Sequence, residues 1–261
     1  MKLLVKLGGT LLDSAETRES LAQQIAAIAR RESLVIVHGG GKQLTHFLAE
    51  RGIDSRFVNG LRVTTPDILE AVIQVVAGSV NRQLVAALNG AGARAVGISG
   101  IDAGLVEAEQ MDPALGSVGR VAGTNPALLE RLLGGGFLPV VACVAGDREG
   151  RMFNVNADHL AVACAAAVGA DQLIFLTDVD GVLDGERRLL PHLTAAECEA
   201  LIAGGVATGG MLAKLNSAQA ALRQGVPEVR IARGAADDIL QRILAGEEAG
   251  TRLVAQEVHA R

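Results

Sequence analysis

The chain has 261 residues, 49% of them hydrophobic but only 2% aromatic, so its core must be built from Val, Leu, Ile and Ala. A net charge of -5, from 24 basic and 29 acidic residues, argues against a nucleic-acid partner, since phosphate backbones are bound by clustered positive charge and single strands by aromatic platforms. Cys143, Cys164 and Cys198 lack metal-ligand spacing and read as reduced, buried thiols, no uncharged run reaches the roughly 18 residues of a membrane span, and no apolar signal segment precedes Leu3-Leu4-Val5, which together predict a cytoplasmic protein without a membrane partner.

Short apolar runs alternate with longer helical patterns along the chain. Lys2–Leu7 reads as a strand running into Gly8-Gly9, and Glu19–Arg31 as a helix with Leu21, Ile25 and Ile28 on one face. Leu34–Val37 is the next strand, ending in His38-Gly39-Gly40-Gly41, and Lys42–Arg51 the next helix. Thr65-Pro66 is an N-cap and first-turn pair that opens a long helix to about Leu88. Ala95–Ser99 is strand-like, and Leu105–Ala108 with Ser117–Ala122 form an excursion of shorter strands. Asn125-Pro126 opens a helix to about Leu133, and Leu138–Val144 is a continuous apolar strand. Asn156 or Asp158 begins the helix to Val168, and Leu173–Thr177 is a strand ending in Asp178-Val179-Asp180-Gly181. Helices fit Ala195–Ala203, Met211–Gln224 and Asp237–Leu244, with strands at Val229–Ala232 and Thr251–Val254. This alternation predicts an α/β fold with a largely parallel sheet and helices on both faces. Strands that are apolar throughout fit burial on both sides. Ligands in such sheets bind beyond the carboxyl ends of the strands, where the glycine clusters fall.

Two lysines beside glycine-rich turns carry the strongest chemical signal: Lys6 in Val5-Lys6-Leu7-Gly8-Gly9, and Lys214 after Gly209-Gly210. Glycines let backbone N–H groups approach an anion, and a lysine adds a compact positive charge. Neither motif is a P-loop or a Gly-x-Gly-x-x-Gly turn. The triglycine at Gly39–Gly41 precedes a helix whose first N–H groups make a ready anion site. Arg62, just after the Asn59-Gly60 turn, offers a two-point clamp for a carboxylate. Asn154, Asn156 and Asp158 cluster ahead of a very apolar helix, and one of them must cap it. Thr177-Asp178-Val179-Asp180-Gly181-Val182-Leu183 follows a buried strand where a nucleotide could sit, and it lacks the spacing of an EF-hand. Lys214 near a helix N-terminus opposes the macrodipole, which an anionic ligand would explain. Taken singly, each motif also has a structural reading, as a surface cation, a flexible turn, a solvated acidic turn or a helix cap.

In register over nearly the whole chain, Lys6–Gly9, His38–Gly41, Asn59–Thr64, Asn154–Asp158, Thr177–Leu183 and Gly209–Lys214 resemble the amino acid kinase family. Asn59–Thr64 and Asn154–Asp158 are similar to its branch acting on N-acetyl-L-glutamate. The resemblance implies an open three-layer αβα sandwich around a mainly parallel, about eight-stranded sheet. It implies an N-terminal lobe, residues 1–168, for acyl amino acid binding and dimerisation, and a C-terminal lobe, residues 169–261, for ATP. The implied reaction is ATP-dependent phosphorylation of the γ-carboxylate, with Mg²⁺ carried by phosphates and water rather than by a protein cage.

By the same resemblance Lys6, Lys214 and Asp158 would be catalytic, Asp158 orienting the two lysines. Gly40, Gly41, Arg62 and Asn154 would bind the substrate. Gly8, Gly9, Asp178, Val179, Asp180, Gly181, Val182, Leu183, Val206, Ala207, Thr208 and Gly210 would bind nucleotide or phosphate. The family pattern departs at Arg230-Ile231-Ala232-Arg233-Gly234, where relatives carry a His-Ile-Ile-(Asp/Asn)-Gly type of segment, and at the Ser99–Gly104 turn. Only five residues precede Lys6, which by resemblance implies a homodimer insensitive to arginine. Rival readings are a sibling kinase acting on glutamate, aspartate or carrier-bound aminoadipate, and a non-catalytic sensor of amino acid or nucleotide. A free amine should need an acidic partner, whereas Arg62 with an amide at Asn154 suits a carboxylate and a neutral acyl-amide.

Overall fold

The apolar runs form the centre of the fold. In the computed structural model, which describes residues 1–256, they are β1 (Lys2–Leu7), β2 (Ser33–His38), β5 (Ala95–Ser99), β8 (Leu138–Ala142) and β11 (Gln172–Thr177). With β12 (His192–Thr194), β13 (Glu228–Arg233) and β14 (Thr251–Val254) they make one eight-stranded sheet in the order β12-β14-β13-β11-β1-β2-β8-β5. Its one antiparallel pairing is β13 with β14. The expected mainly parallel, eight-stranded sheet is therefore present. Every strand on one side of the β1–β11 seam comes from residues before 168, and every strand on the other side from residues after it.

Helices cover both faces, and alternation along β1 assigns its residues between them. Leu3, Val5 and Leu7 join a core with α1 (Ala15–Ala29), α2 (Gly41–Glu50), the helix from Pro66 to Gly90, and α9 (Ile239–Leu244). Leu4 points the other way, into a core with α5 (Ala127–Gly134), α6 (Ala157–Val168), α7 (Ala195–Ala203) and α8 (Gly209–Arg223). Lys6 shares the face of Leu4, beneath α6. Phe175, buried on that same face, is the largest fully buried side chain.

The long helix has three parts: α3 (Pro66–Val72), a π-helical stretch over Ile73–Val80, and α4 (Asn81–Gly90). Thr65 caps it by accepting from the Ile68 N–H, with Pro66 in the first turn, as the sequence predicts. By length and composition it could cross a membrane. Its apolar side is instead committed to the core through Ile68, Val72, Val76, Leu84 and Leu88.

Shorter strands build what the sequence analysis left partly open. β3 (Phe57–Val58) and β4 (Leu61–Arg62) form a small hairpin. β6 (Val106–Gln110), β7 (Val118–Thr124), β9 (Val144–Gly146) and β10 (Met152–Val155) close into a four-stranded barrel in the order β10-β7-β6-β9. The predicted single strand over 138–144 is thus two: the chain leaves the main sheet after Ala142 and enters the barrel at Val144. Helix α1 starts at Ala15 rather than Glu19, because Ser14 accepts from the Thr17 N–H and caps it. Helix α9 starts two residues later than expected, at Ile239, after Asp238 takes a positive φ of 51°.

Candidate active site

The carboxyl ends of β1 and β2 sit side by side, so their glycine turns meet. A Cβ on Gly9 would lie 3.2 Å from the Gly41 backbone nitrogen, so a side chain there would press the two turns apart. Gly40 packs as closely on the π-helical stretch, where a Cβ would lie 3.2 Å from Val76 Cγ2. Gly41 begins α2, and the first intrahelical bond runs from the Leu44 N–H to the Gly40 carbonyl at 2.9 Å. The first N–H groups of α2 therefore have no partner within the helix and face the turn of β1.

His38 is fully buried and holds this corner. Its Nδ1 lies 2.8 Å from the Gly39 carbonyl, and its Nε2 lies 2.9 Å from the Asn81 amide nitrogen. Burial lowers its pKa to about 4 against the Gly39 hydrogen bond, with Lys6 lowering it further. The neutral ring donates from Nδ1 and accepts at Nε2, and its role is to brace the triglycine turn.

A cavity of about 230 Å³ opens below these turns. Lys6, Gly9, Gly40, Gly41, Arg62, Asn154 and Asp158 all line it. Lys6 Nζ lies 2.6 Å from Asp158 Oδ1, with both side chains only about a tenth exposed. That oxygen receives no well-angled hydrogen bond, so the contact is an ion pair. Burial opposes ionisation of Asp158, but the charges of Lys6 and then Lys214 outweigh it and hold the carboxyl below its usual range. Asp158 enters the cavity from the first turn of α6, which Asn156 caps by accepting from the Asp158 and His159 N–H groups. The asparagine expected to cap is therefore Asn156. Asn154 is left free to face the cavity, and its amide donates to Thr64 Oγ1 at 3.1 Å.

Arg62 is the second cation of the cavity. It is buried, and burial lowers its pKa. Its guanidinium donates to the Gly41 carbonyl at 3.1 Å, to Thr45 Oγ1 at 2.8 Å and to Ser55 Oγ, and it stacks 4.5 Å from the Phe57 ring centre. All these partners are neutral. Among the described residues no carboxylate pairs with it, so a buried charge stands ready for an anion.

The other expected ligand residues lie outside this cavity. Lys214 sits in the second turn of α8, near enough to act electrostatically on Asp158. Val206 is exposed, Ala207 is buried, Thr208 starts α8 without a side-chain cap, and Gly210 is exposed. In the turn after β11, Asp178 and Val179 are exposed, and Asp180 pairs with Arg233 at 2.5 Å. Gly181 and Val182 are buried, the Val182 N–H donating to Thr251 Oγ1 at 2.8 Å, while Leu183 is exposed. Gly8 donates its N–H to the Leu176 carbonyl at 2.9 Å and so joins the β1 turn to the end of β11. No cluster of three or more His, Cys, Asp or Glu suited to a metal occurs among the described residues. The sequence did not reveal the residues that hold the functional side chains, namely Thr45, Ser55, Thr64 and Asn81. They lie 7 to 90 positions from the groups they bond.

Residues 1–233 match the amino acid kinase family. The chain is 67% identical over 255 residues to the acetylglutamate kinase of Solibacter usitatus, covering 97% of this chain and 99% of that protein. It is 43% identical to the acetylglutamate kinase of Deinococcus radiodurans, covering 97% and 100%. Among solved structures, N-acetylglutamate synthase from Neisseria gonorrhoeae, complexed with coenzyme A and N-acetyl-glutamate, superposes with a TM-score of 0.88 at 28% identity. That match covers 98% of this chain and 60% of the synthase. Carbamate kinase from Giardia lamblia shares the fold, with a TM-score of 0.74 at 17% identity, covering 98% of each chain.

Proposed function

The chain belongs to the amino acid kinase family, and from that premise we propose that it transfers the γ-phosphoryl group of ATP to the γ-carboxylate of N-acetyl-L-glutamate, giving N-acetylglutamyl 5-phosphate and ADP. The observation that carries this reading is one cavity holding both a buried Lys6–Asp158 pair and a buried Arg62 with no carboxylate of its own. Relatives named acetylglutamate kinase at 67% and 43% identity support the choice of substrate.

The chemistry asks little of the protein beyond placement and charge. A carboxylate is already a nucleophile, so no general base is required, and catalysis rests on alignment and charge neutralisation. Arg62 and Asn154 hold the amino-acid end of the substrate. Its γ-carboxylate then lies toward Lys6 and the N–H groups of Gly40 and Gly41. Lys6 and Lys214 approach the phosphoryl group from the two halves of the sheet, and Asp158 sets their positions. Removing one such cation from the transition state costs roughly 2–4 kcal/mol, by analogy with an oxyanion donor.

The nucleotide occupies the carboxyl ends of β1 and β11 and the mouth of α8, near Gly8, Gly9, Asp178–Leu183, Val206–Thr208 and Gly210. Mg²⁺ would arrive with the nucleotide, and its ligands would be phosphate oxygens and water. On this reading residues 1–168 bind the acyl amino acid and residues 169–261 bind ATP. A homodimer through the β5 edge, where the sheet ends with one side of the strand unpaired, belongs to the same proposal. Light scattering on the purified protein measures that. Three free, buried thiols suit a reducing cytoplasm.

Hydroxylamine trapping of acyl phosphate tests the reaction, with N-acetylglutamate, glutamate and aspartate offered in parallel under MgATP. Hydroxamate from N-acetylglutamate alone is the expected result. Product from a free amino acid alone would move the chain to a sibling activity. Nucleotide binding without any product would favour a sensor.

A further inference from the structure

The ion pair between Arg233 and Asp180 joins the turn proposed to line the nucleotide site to a residue, Arg233, that the proposed chemistry leaves without a role. Arg233 is the last residue of β13 and lies directly across from Thr177, the last residue of β11. Its guanidinium donates to both carboxylate oxygens of Asp180, at 2.5 and 3.2 Å, across 53 positions of sequence. Asp180 belongs to the turn that follows Thr177. The corner continues into Gly234, whose N–H donates to the Thr177 carbonyl at 2.8 Å. A Cβ on Gly234 would come within 2.3 Å of Leu11 Cδ1, in the 3₁₀ turn that starts at Gly9. Gly8 in turn bonds the Leu176 carbonyl. Arg233 therefore stands where three segments meet: the glycine turn of β1, the turn after β11, and the end of β13.

The electrostatics of this corner need a cation. Asp178 and Asp180 place two carboxylates in one exposed turn, and both help keep the Arg233 guanidinium charged, Asp180 by direct hydrogen bonding and Asp178 through space. A polyphosphate brought to the same carboxyl ends would be repelled by two bare carboxylates. Arg233 cancels one of these charges and fixes the turn to the sheet. An arginine suits the task because its planar fork meets a carboxylate at two points.

We propose that Arg233 is a positioning residue for the nucleotide: through its two-point ion pair with Asp180 it neutralises and holds the turn after β11, so that MgATP can bind beside the Gly8-Gly9 turn. The inference rests on the kinase reading above. It concerns nucleotide affinity rather than the acyl amino acid or the chemical step. The pair is partly exposed, with side chains 46% and 63% accessible, so the effect on affinity is moderate and weakens as salt rises.

The test compares wild type with Arg233→Ala, Arg233→Asp, and the charge swap Asp180→Arg with Arg233→Asp. Affinity for a non-hydrolysable ATP analogue with Mg²⁺ is read by calorimetry, and KM for MgATP and for N-acetylglutamate by hydroxamate formation. Arg233→Ala should weaken analogue binding and raise the KM for MgATP roughly threefold, and Arg233→Asp more than tenfold. The KM for N-acetylglutamate and the kcat should stay within twofold in both. The swap should recover most of the lost affinity, since it restores an ion pair of opposite orientation. Unchanged analogue affinity in Arg233→Asp would overturn the inference, as would a loss in the N-acetylglutamate KM of equal size. Failure of the swap to recover any affinity, with its melting temperature intact, would overturn the role through Asp180. Wild type that binds the analogue but forms no hydroxamate would count against the kinase reading alone, and the calorimetric comparison would still decide the role of Arg233.

Discussion

Replacing Arg62 with Met asks whether a buried charge serves the fold or the substrate. Arg62 is 7% exposed, and the partners of its guanidinium are the Gly41 carbonyl and two hydroxyls. Losing three hydrogen bonds from a charged donor, at about 1.5–3 kcal/mol each, costs roughly 4–9 kcal/mol. Against this, removing a buried charge that has no counter-ion relieves desolvation of the same order. Part of that relief is lost because the cavity already admits water. The two terms nearly cancel, so ligand-free Arg62→Met should melt within about 4 °C of wild type, at roughly 2 °C per kcal/mol for a chain of this size. Substrate binding has no such compensation. Truncating one partner of a desolvated charge pair costs about 2–5 kcal/mol. At about 1.4 kcal/mol per tenfold, the KM for N-acetylglutamate should rise roughly 30- to 3,000-fold. The assay is hydroxamate formation over a substrate series, alongside thermal melts with and without N-acetylglutamate. Wild type should gain melting temperature with substrate and the variant should not. A KM within threefold of wild type would refute the reasoning, as would a collapse of more than about 10 °C with substrate affinity preserved.

The remaining cavity residues give further expectations. Lys214→Ala should lower kcat by roughly 10² to 10³ while leaving the KM for N-acetylglutamate within a few-fold, read from steady-state rates. Asp158→Asn leaves Lys6 buried without its counter-charge and should cost about 3–5 kcal/mol in urea unfolding. The carboxyl of Asp158 is held low in the folded state, so the stability it contributes is present above the unfolded value near 3.9 and fades as pH falls through the folded value. The variant's acid-unfolding curve should be flatter there. His38 titrates at about 4 when folded against 6.5 when unfolded, so the unfolded chain binds the extra proton between those values. That gap of about 2.5 pH units, at about 1.4 kcal/mol each, means roughly 3 kcal/mol of stability present above pH 6.5 and lost on acidification to pH 4. His38→Gln should remove that part of the slope in unfolding measured across pH. Gly9→Ala would press a methyl on the Gly41 nitrogen at 3.2 Å and should lower kcat/KM about tenfold by shifting the two facing turns.

Much of this fold can be read in the chain because the central strands are buried on both faces and so appear as unbroken apolar runs, as in Leu34–Val37 and Leu173–Thr177. The short strands are a different case. Phe57–Val58 is exposed, and Met152–Val155 alternates in burial over four residues. Neither carries enough pattern to stand apart from a loop, and the barrel that Met152–Val155 helps build depends on contacts distant in sequence. The π-helical stretch Ile73–Val80 was equally hidden, since a run of Val, Ala and Gly has the same apolar look in either helical register. In the site, residues next to glycine turns were legible because the turn itself signals close approach. The split between Asn154 and Asn156 was not, because either amide could have capped α6. Nor was the link between Asp180 and Arg233, which arises only when β11 and β13 pair.

The central claim is that an oxygen of the γ-carboxylate of N-acetylglutamate attacks the terminal phosphorus of ATP. Phosphorus NMR of the reaction, using substrate labelled with ¹⁸O in that carboxylate, tests it directly. The account predicts an acyl-phosphate resonance displaced by the isotope, because the bridging oxygen comes from the substrate. An acyl-phosphate signal without the displacement, or ADP formed with inorganic phosphate alone, would contradict it.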